Sequence, residues 1–263
     1  MDHFCSLFSG STGNSTYIGD ENSGILIDAG KSYSAVIKRL SDLGCKNTQI
    51  KAIFITHTHS DHISALECLK KKQPQIPIYG SLETVAFLND RYCFDNLHPV
   101  HGKGCESDRF FVTPFNVPHD CDGTKGYTVA LENGLKLGIC TDLGEVTPEI
   151  ERALSGCRSV LVESNHDVNA LKAGSYPFYL KQRILGRLGH LSNTACGELA
   201  ARLVKTGTKN FILGHLSAEN NMPDIAFETV NYYLENCGAQ ENGDYFLRVA
   251  SPEFADRHFC AVY

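Results

Sequence analysis

No two of the 11 cysteines (5, 45, 68, 93, 105, 121, 140, 157, 196, 237 and 260) form a C-x-x-C pair. Pairs of that kind close most structural zinc sites, so their absence speaks against a zinc-stapled fold. The odd count and wide scatter also speak against a disulfide framework, and most of these thiols are expected to be buried in a reducing compartment. No apolar run approaches the ~20 residues of a membrane span, and no low-complexity or Pro/Ser-rich linker interrupts the chain. The start, Met1-Asp2-His3-Phe4, lacks the basic residues of a signal peptide, so a cytoplasmic location with no membrane partner is expected. What remains is an ordinary soluble composition, 42% hydrophobic and 21% charged over 263 residues, enough for one large domain over 1–263.

A net charge of −6 argues against a polyanionic partner when taken as a total, but it is unevenly spread. Residues 170–210 carry Lys172, Lys181, Arg183, Arg187, Arg202, Lys205 and Lys209 against the single acid Glu198, a net of +6 that leaves −12 elsewhere. Phosphate recognition depends on a local patch and not on the total. Solvated helix faces account for the same residues equally well.

The most informative stretch is His57-Thr58-His59-Ser60-Asp61-His62. It follows the apolar run Ala52-Ile53-Phe54-Ile55, a buried strand, and precedes a helix over 63–70 with apolar positions 63, 66 and 69. In extended backbone, residues two apart share a side, so His57 and His59 can bind one metal ion. As the chain turns into the helix, Asp61 and His62 face elsewhere, which suits a second ion. Three imidazoles and a carboxylate crowded at a strand end would be costly without a cation between them.

Other strand ends carry groups of the same kind. Gly24-Ile25-Leu26-Ile27 ends in Asp28, either a helix cap or a residue orienting a metal-bound histidine. The strand Phe110–Phe115 leads through Pro118 to His119, and Leu135–Cys140 ends at Asp142, whose two oxygens could bridge two cations. Ser159–Glu163 opens onto Ser164-Asn165-His166-Asp167, and Asn210–Leu213 onto Gly214-His215-Leu216-Ser217. Gly189-His190-Leu191-Ser192-Asn193 leads into a helix with apolar positions 195, 199, 203 and 204. Near the start, the loop Ser9–Ser15 reads as a hairpin turn, with approach to a phosphate as the sharper alternative. Residues 90–108, including His98 and His101, read as irregular and without a role.

This ordered set resembles the metallo-β-lactamase superfamily, and the likeness runs from Asp28 to His215. Within it, the segments Gly10–Ser15, Leu26–Gly30, Thr141–Gly144, Glu163–Asp167, Gly189–Asn193 and His215–Asn221 resemble the YycJ (WalJ) group of small nuclease-like proteins. The resemblance implies an α/β fold, a four-layer αββα sandwich. It also implies a metal-dependent phosphodiesterase or nuclease, a 5′-to-3′ DNA exonuclease linked to DNA repair, with DNA as partner and RNA left open. His190 resembles the histidine of ribonuclease Z that assists the leaving group. Only 72 residues separate Asp142 from His215, too few for the inserted clamp domain of the exoribonuclease relatives.

On this basis His57, His59 and His119 are expected to bind one divalent ion, Asp61, His62 and His215 the other, with Asp142 bridging. The metal is zinc, manganese or iron. A hydroxide bridging two such ions would attack phosphorus in line. Asp61 and His190 are the expected catalytic residues and Asp28 the orienting one. Asn165, His166, Ser192 and Asn193 are candidate substrate contacts, although a plain turn explains 165 and 166 nearly as well. The alternative reading is a metal-dependent hydrolase of a carboxyl ester, thioester or lactone. A di-iron oxygen-reducing enzyme is disfavoured because such relatives carry Glu where His59 stands, and an intact ligand set disfavours a protein that only binds nucleic acid.

Overall fold

The computed structural model describes residues 3–45 and 50–252, so Cys260 lies outside the described residues. The chain divides into two compact units, 1–114 with 121–125 and 250–263, and 115–120 with 126–249. Among the described residues no cysteine is in a disulfide; five of them (Cys5, Cys45, Cys140, Cys157 and Cys196) are buried. No described helix is long and apolar enough to cross a membrane.

In the first unit β1 (His3–Phe8), β2 (Ser15–Gly19), β3 (Gly24–Ile27), β4 (Ile50–Phe54), β5 (Ile78–Gly80) and β6 (Leu97–Pro99) form one sheet in that order. The pairs β1–β2 and β2–β3 are antiparallel, and β3 to β6 run parallel. Helix α1 (Tyr33–Asp42) starts where the Ser32 hydroxyl accepts from the Ala35 N–H, and its Tyr33, Val36 and Leu40 enter the core. That core also holds Leu26, Ile53, Leu66 and Leu69.

The helix expected over 63–70 is broken into α2 (Ser60–Ile63) and α3 (Leu66–Lys72). An unbroken helix would bond the Ala65 N–H to the Asp61 carbonyl. Both groups are taken by other segments: Ala65 N–H donates to the Ala29 carbonyl (2.9 Å), and the Asp61 carbonyl accepts from Asn14 N–H (2.7 Å). Ala29 N–H also donates to the His62 carbonyl at 2.8 Å, so two of these backbone bonds hold the 57–62 loop and the third holds the helix start after it. Gly30 permits this approach, because a Cβ there would lie 1.5 Å from the Asp61 carbonyl oxygen. After α3, helix α4 (Leu82–Tyr92) is capped by Ser81. The 90–108 stretch, read as irregular, contributes β6 and β7 (Cys105–Ser107), strands of three residues each, too short to show a period.

The second sheet has the order β13-β12-β11-β10-β9-β8-β7, with β8 (Phe110–Asn116), β9 (Lys125–Leu131), β10 (Lys136–Cys140), β11 (Ser159–Glu163), β12 (Asn210–Gly214) and β13 (Phe246–Val249). Strands β10 to β13 are parallel. Helices α5 (Pro148–Leu154) and α6 (Val168–Ala173) were not expected from the sequence; at seven and six residues they are set by their caps, Thr147 and Asp167. Helix α7 (Phe178–Leu185) ends at Gly186, and the His190 N–H turns back to the Ile184 carbonyl. Helices α8 (Asn193–Leu203) and α9 (Pro223–Asn236) pack Leu199, Leu203, Val230 and Leu234 into the core of this unit.

Candidate metal centre

Asp28, His57 to His62, Asp142, Ser164 to His166 and His215 follow the carboxyl ends of parallel strands, and Glu163 is the last residue of one, the usual place for function in α/β sheets. Asp28, Asp142 and His215 adopt φ values of 61°, 58° and 54°. A left-handed backbone at a residue other than glycine costs of order 1 kcal/mol and persists where surrounding contacts impose it. Each of the three sits one or two residues past its strand, where the turn aims the side chain off the strand end.

In the first unit, His57 and His62 are fully buried, and their ring centroids lie 4.1 Å apart. His57 Nε2 lies 3.0 Å from His59 Nδ1. His62 Nδ1 is 2.7 Å from Asp28 Oδ2, and Asp28 also accepts from the Thr56 N–H and hydroxyl, each at 2.8 Å. Burial raises the Asp28 pKa, against the opposing pull of His62 and Thr56. With Nδ1–H donating to this carboxylate, the Nε2 lone pair of His62 becomes the ring's donor atom for a cation. Asn14 completes the arrangement: its Nδ2 donates to Asp61 Oδ2 (3.1 Å) and lies 3.0 Å from His62 Nε2. The Ser9–Ser15 loop is therefore not only a hairpin turn. Asn14 went unremarked in the sequence because a Gly/Ser loop hides one buried amide among small residues.

The second unit centres on Glu163, a carboxylate with no exposed surface. Its Oε1 lies 2.8 Å from His190 Nδ1 and 2.7 Å from His215 Nδ1, while Oε2 accepts from the N–H groups of Leu143 (2.9 Å) and Leu191 (3.1 Å). Burial alone would raise its pKa, but His190 and His215 outweigh that and bring it down to about 2. The same contact works on His190: burial favours the neutral ring, and Glu163 overcomes it, raising the pKa. His215 Nε2 lies 3.3 Å from Asp142 Oδ1. One donor atom from each of Asp142, Glu163, His190 and His215 falls within 4.8 Å of the others. His119 is 3.3 Å by Nδ1 from the Gly189 carbonyl, and burial lowers its pKa towards a neutral, ligand-ready ring. Glu163 was quoted only as part of a motif; the available signal was an acid closing an otherwise apolar strand, Ser159-Val160-Leu161-Val162.

The four candidate substrate contacts are bound into the protein. Asn165 Nδ2 donates to the His215 carbonyl (2.8 Å). Ser192 caps α8, and Asn193 Oδ1 accepts from the Ser164 hydroxyl (2.7 Å) and from Asn221 Nδ2 (2.9 Å). His166 is 1% exposed, and neither ring nitrogen has a hydrogen-bond partner among the described residues. Its burial pushes the pKa down to about 4. His98, read as having no role, lies 2.6 Å by Nε2 from Asn96 Oδ1 on the surface.

These donor sets fit divalent cations: imidazoles with Nδ1 fixed by buried carboxylates, beside further carboxylates. Residues 24–216 match the family described as the Beta-lactamase superfamily domain. The chain is 32% identical over 249 residues to an exodeoxyribonuclease YycJ of Bacillus anthracis, covering 90% of both chains. It is 33% identical over 255 residues to an exodeoxyribonuclease WalJ of Streptococcus pneumoniae serotype 2, covering 95% of this chain and 94% of that one. Among solved structures it resembles the metallo-beta-lactamase fold protein YhfI of Bacillus subtilis, with a TM-score of 0.70 and 14% identity over 97% of this chain and 99% of that one. The fold class expected from the sequence is therefore shown.

Proposed function

The chain belongs to the beta-lactamase superfamily domain family, and from that membership and its donor groups we propose that it is a metal-dependent phosphodiesterase acting on DNA as a 5′-to-3′ exonuclease. One observation carries the metal reading. His62 and His215 each rest Nδ1 on a buried carboxylate, Asp28 at 2.7 Å and Glu163 at 2.7 Å, the arrangement that orients a metal-binding imidazole through Nε2. The substrate reading draws on the two relatives matched along 90% and 95% of this chain, both named exodeoxyribonucleases. The ester, thioester or lactone alternative has less support for the same reason.

In this reading His57, His59 and His119 would hold one divalent ion and Asp61, His62 and His215 a second, with Asp142 available to both. Bound divalent ions would supply Lewis acidity, activating water and neutralising charge on phosphorus. Asp61 orients the attacking water by accepting its proton in a hydrogen bond. His190, its cationic form favoured by Glu163, donates a proton to the departing oxygen. Glu163 positions His190 and His215 together. Asn165, Ser192 and Asn193 hold the loops that carry these histidines, and Asp28 sets His62.

The test is incubation of protein loaded with zinc, manganese or iron with end-labelled single- and double-stranded DNA and RNA. Wild type should shorten DNA from the 5′ end, while Asp142→Ala, Asp61→Ala and His62→Ala should remain folded by circular dichroism and lose cleavage. Undiminished turnover by a purified Asp61→Ala/His62→Ala double variant would overturn the assignment.

A further inference from the structure

We propose that helix α7 and the turn after it form a ledge on which the unpaired bases of single-stranded DNA stack, a surface that rests on the nuclease reading for its purpose. Phe178 and Tyr179 are adjacent on the first turn of α7, and their exposures of 77% and 74% are the highest of the large hydrophobic side chains among the described residues. The fold does not use them. Ile184 is the buried residue of this helix, and Phe178 and Tyr179 lie away from it. Leu185 and Leu188 extend the exposed apolar surface along the same segment.

The surroundings of these rings select the partner. From 168 to 197 the sequence has four cationic side chains, Lys172, Lys181, Arg183 and Arg187, and no acid. Lys181 Nζ donates to the carbonyls of Lys172 and Gly174, which ties the helix to the preceding turn. Arg183 pairs with Asp120 (2.5 Å) and Arg187 with Glu145 (2.6 Å), yet their side chains remain 52% and 83% exposed, leaving guanidinium edges towards solvent. Aromatic faces flanked by cations are the pattern of single-strand recognition, with rings taking bases and guanidinium groups taking phosphates. A duplex keeps its bases stacked on one another and offers no face to such a ledge.

The helix is fastened to the catalytic side of this unit. The Ile184 carbonyl accepts from His190 N–H (2.9 Å), and the Gly189 carbonyl lies 3.3 Å from His119 Nδ1. Asp120, the partner of Arg183, lies 3.3 Å by Oδ1 from His119 Nε2. Eight helical residues span about 12 Å, so a strand held by the rings is led towards His119 and His190 by one short rigid element.

The experiment compares the full-length protein with a Phe178→Ala/Tyr179→Ala variant. Binding of fluorescein-labelled dT20 and of a blunt 20-base-pair duplex is read by anisotropy in an Asp142→Ala background, which prevents turnover. Hydrolysis of bis(p-nitrophenyl) phosphate is read without that background. The variant should bind dT20 roughly 10- to 100-fold more weakly, bind the duplex as before and hydrolyse the small diester at the wild-type rate. Phe178→Trp/Tyr179→Trp should restore dT20 binding. Unchanged dT20 affinity in the alanine variant, or no dT20 binding by the parent protein, would overturn the proposal. So would a wild-type dimer that the alanine variant splits in sedimentation, because a second copy would then cover the rings. A wild type that hydrolyses no phosphodiester but binds dT20 through these rings would sink the nuclease reading and leave the ledge standing.

Discussion

His190 and His215 share a single oxygen: Oε1 of Glu163 lies 2.8 Å from one Nδ1 and 2.7 Å from the other, and the two rings stack with centroids 5.3 Å apart. His215 is thereby held with its proton on Nδ1 and Nε2 free, and His190 is turned so that its Nε2 points away from the carboxylate. The other oxygen of Glu163 ties down the backbone of the two loops following β10 and α7.

Glu163→Gln separates these tasks. The amide oxygen can still accept from Leu143 and Leu191, so the variant should fold. Its NH2 then faces the two Nδ1 atoms and, at His215, forces the proton onto Nε2, spoiling that donor atom. Metal affinity, measured by competition with a chromogenic chelator, should fall about 10- to 100-fold. Glu163→Ala leaves two buried N–H groups unpaired and should also lose about 2–6 kcal/mol of stability in the metal-free protein. Equal metal affinity in Glu163→Gln and wild type would refute the orienting role.

Asp28 plays the matching part for His62. Asparagine tolerates the left-handed backbone at φ 61°, so Asp28→Asn should fold while presenting its amide to Thr56 and His62. If the wild type binds the two ions proposed, metal analysis of the variant should find about one fewer per chain. Full occupancy in this variant would argue that His62 needs no carboxylate to bind.

Asp28 and the 57–62 cluster could be read from the sequence because each lies just after an unmistakable apolar run, and strand-end position alone sets the direction of such groups. The broken helix could not be read: it depends on Asn14 and Ala29, which take the Asp61 carbonyl and the Ala65 N–H from segments distant in the chain. Glu163 was likewise hidden, since a carboxylate ending a strand looks the same whether it meets solvent or two imidazoles. Helices α5 and α6 are too short for their apolar spacing to repeat, and only their caps mark them.

Gly30 is where the sequence leaves no substitute. A methyl group there would meet the Asp61 carbonyl oxygen at 1.5 Å and the Asn14 nitrogen at 2.6 Å, both backbone atoms that cannot swing aside. Gly30→Ala should exceed the usual overpacking cost of about 1–3 kcal/mol and lower the melting temperature by about 10 °C or leave the protein insoluble. Gly44→Ala is the control, with nothing within 4 Å and φ +81°, and should cost about 1 kcal/mol. A Gly30→Ala protein as stable as Gly44→Ala would mean that the 57–62 loop does not pack as described.

His166 offers a test by pH. The ring is 1% exposed, has no hydrogen-bond partner among the described residues, and burial pushes its pKa down to about 4, against an ordinary value of 6.5. Between these two values the unfolded chain binds the proton and the folded one refuses it, so stability rises with pH across that window. From pH 5 to pH 7 this single group should add about 2 kcal/mol to the unfolding free energy. Other groups also titrate there, so the measurement is a difference: urea unfolding of chelator-treated wild type and His166→Phe at both pH values. The variant should lose that increment and gain relative stability at the acid end. Parallel pH profiles for the two proteins would show that the ring takes up its proton normally in the folded state, and so that it is solvated or partnered after all.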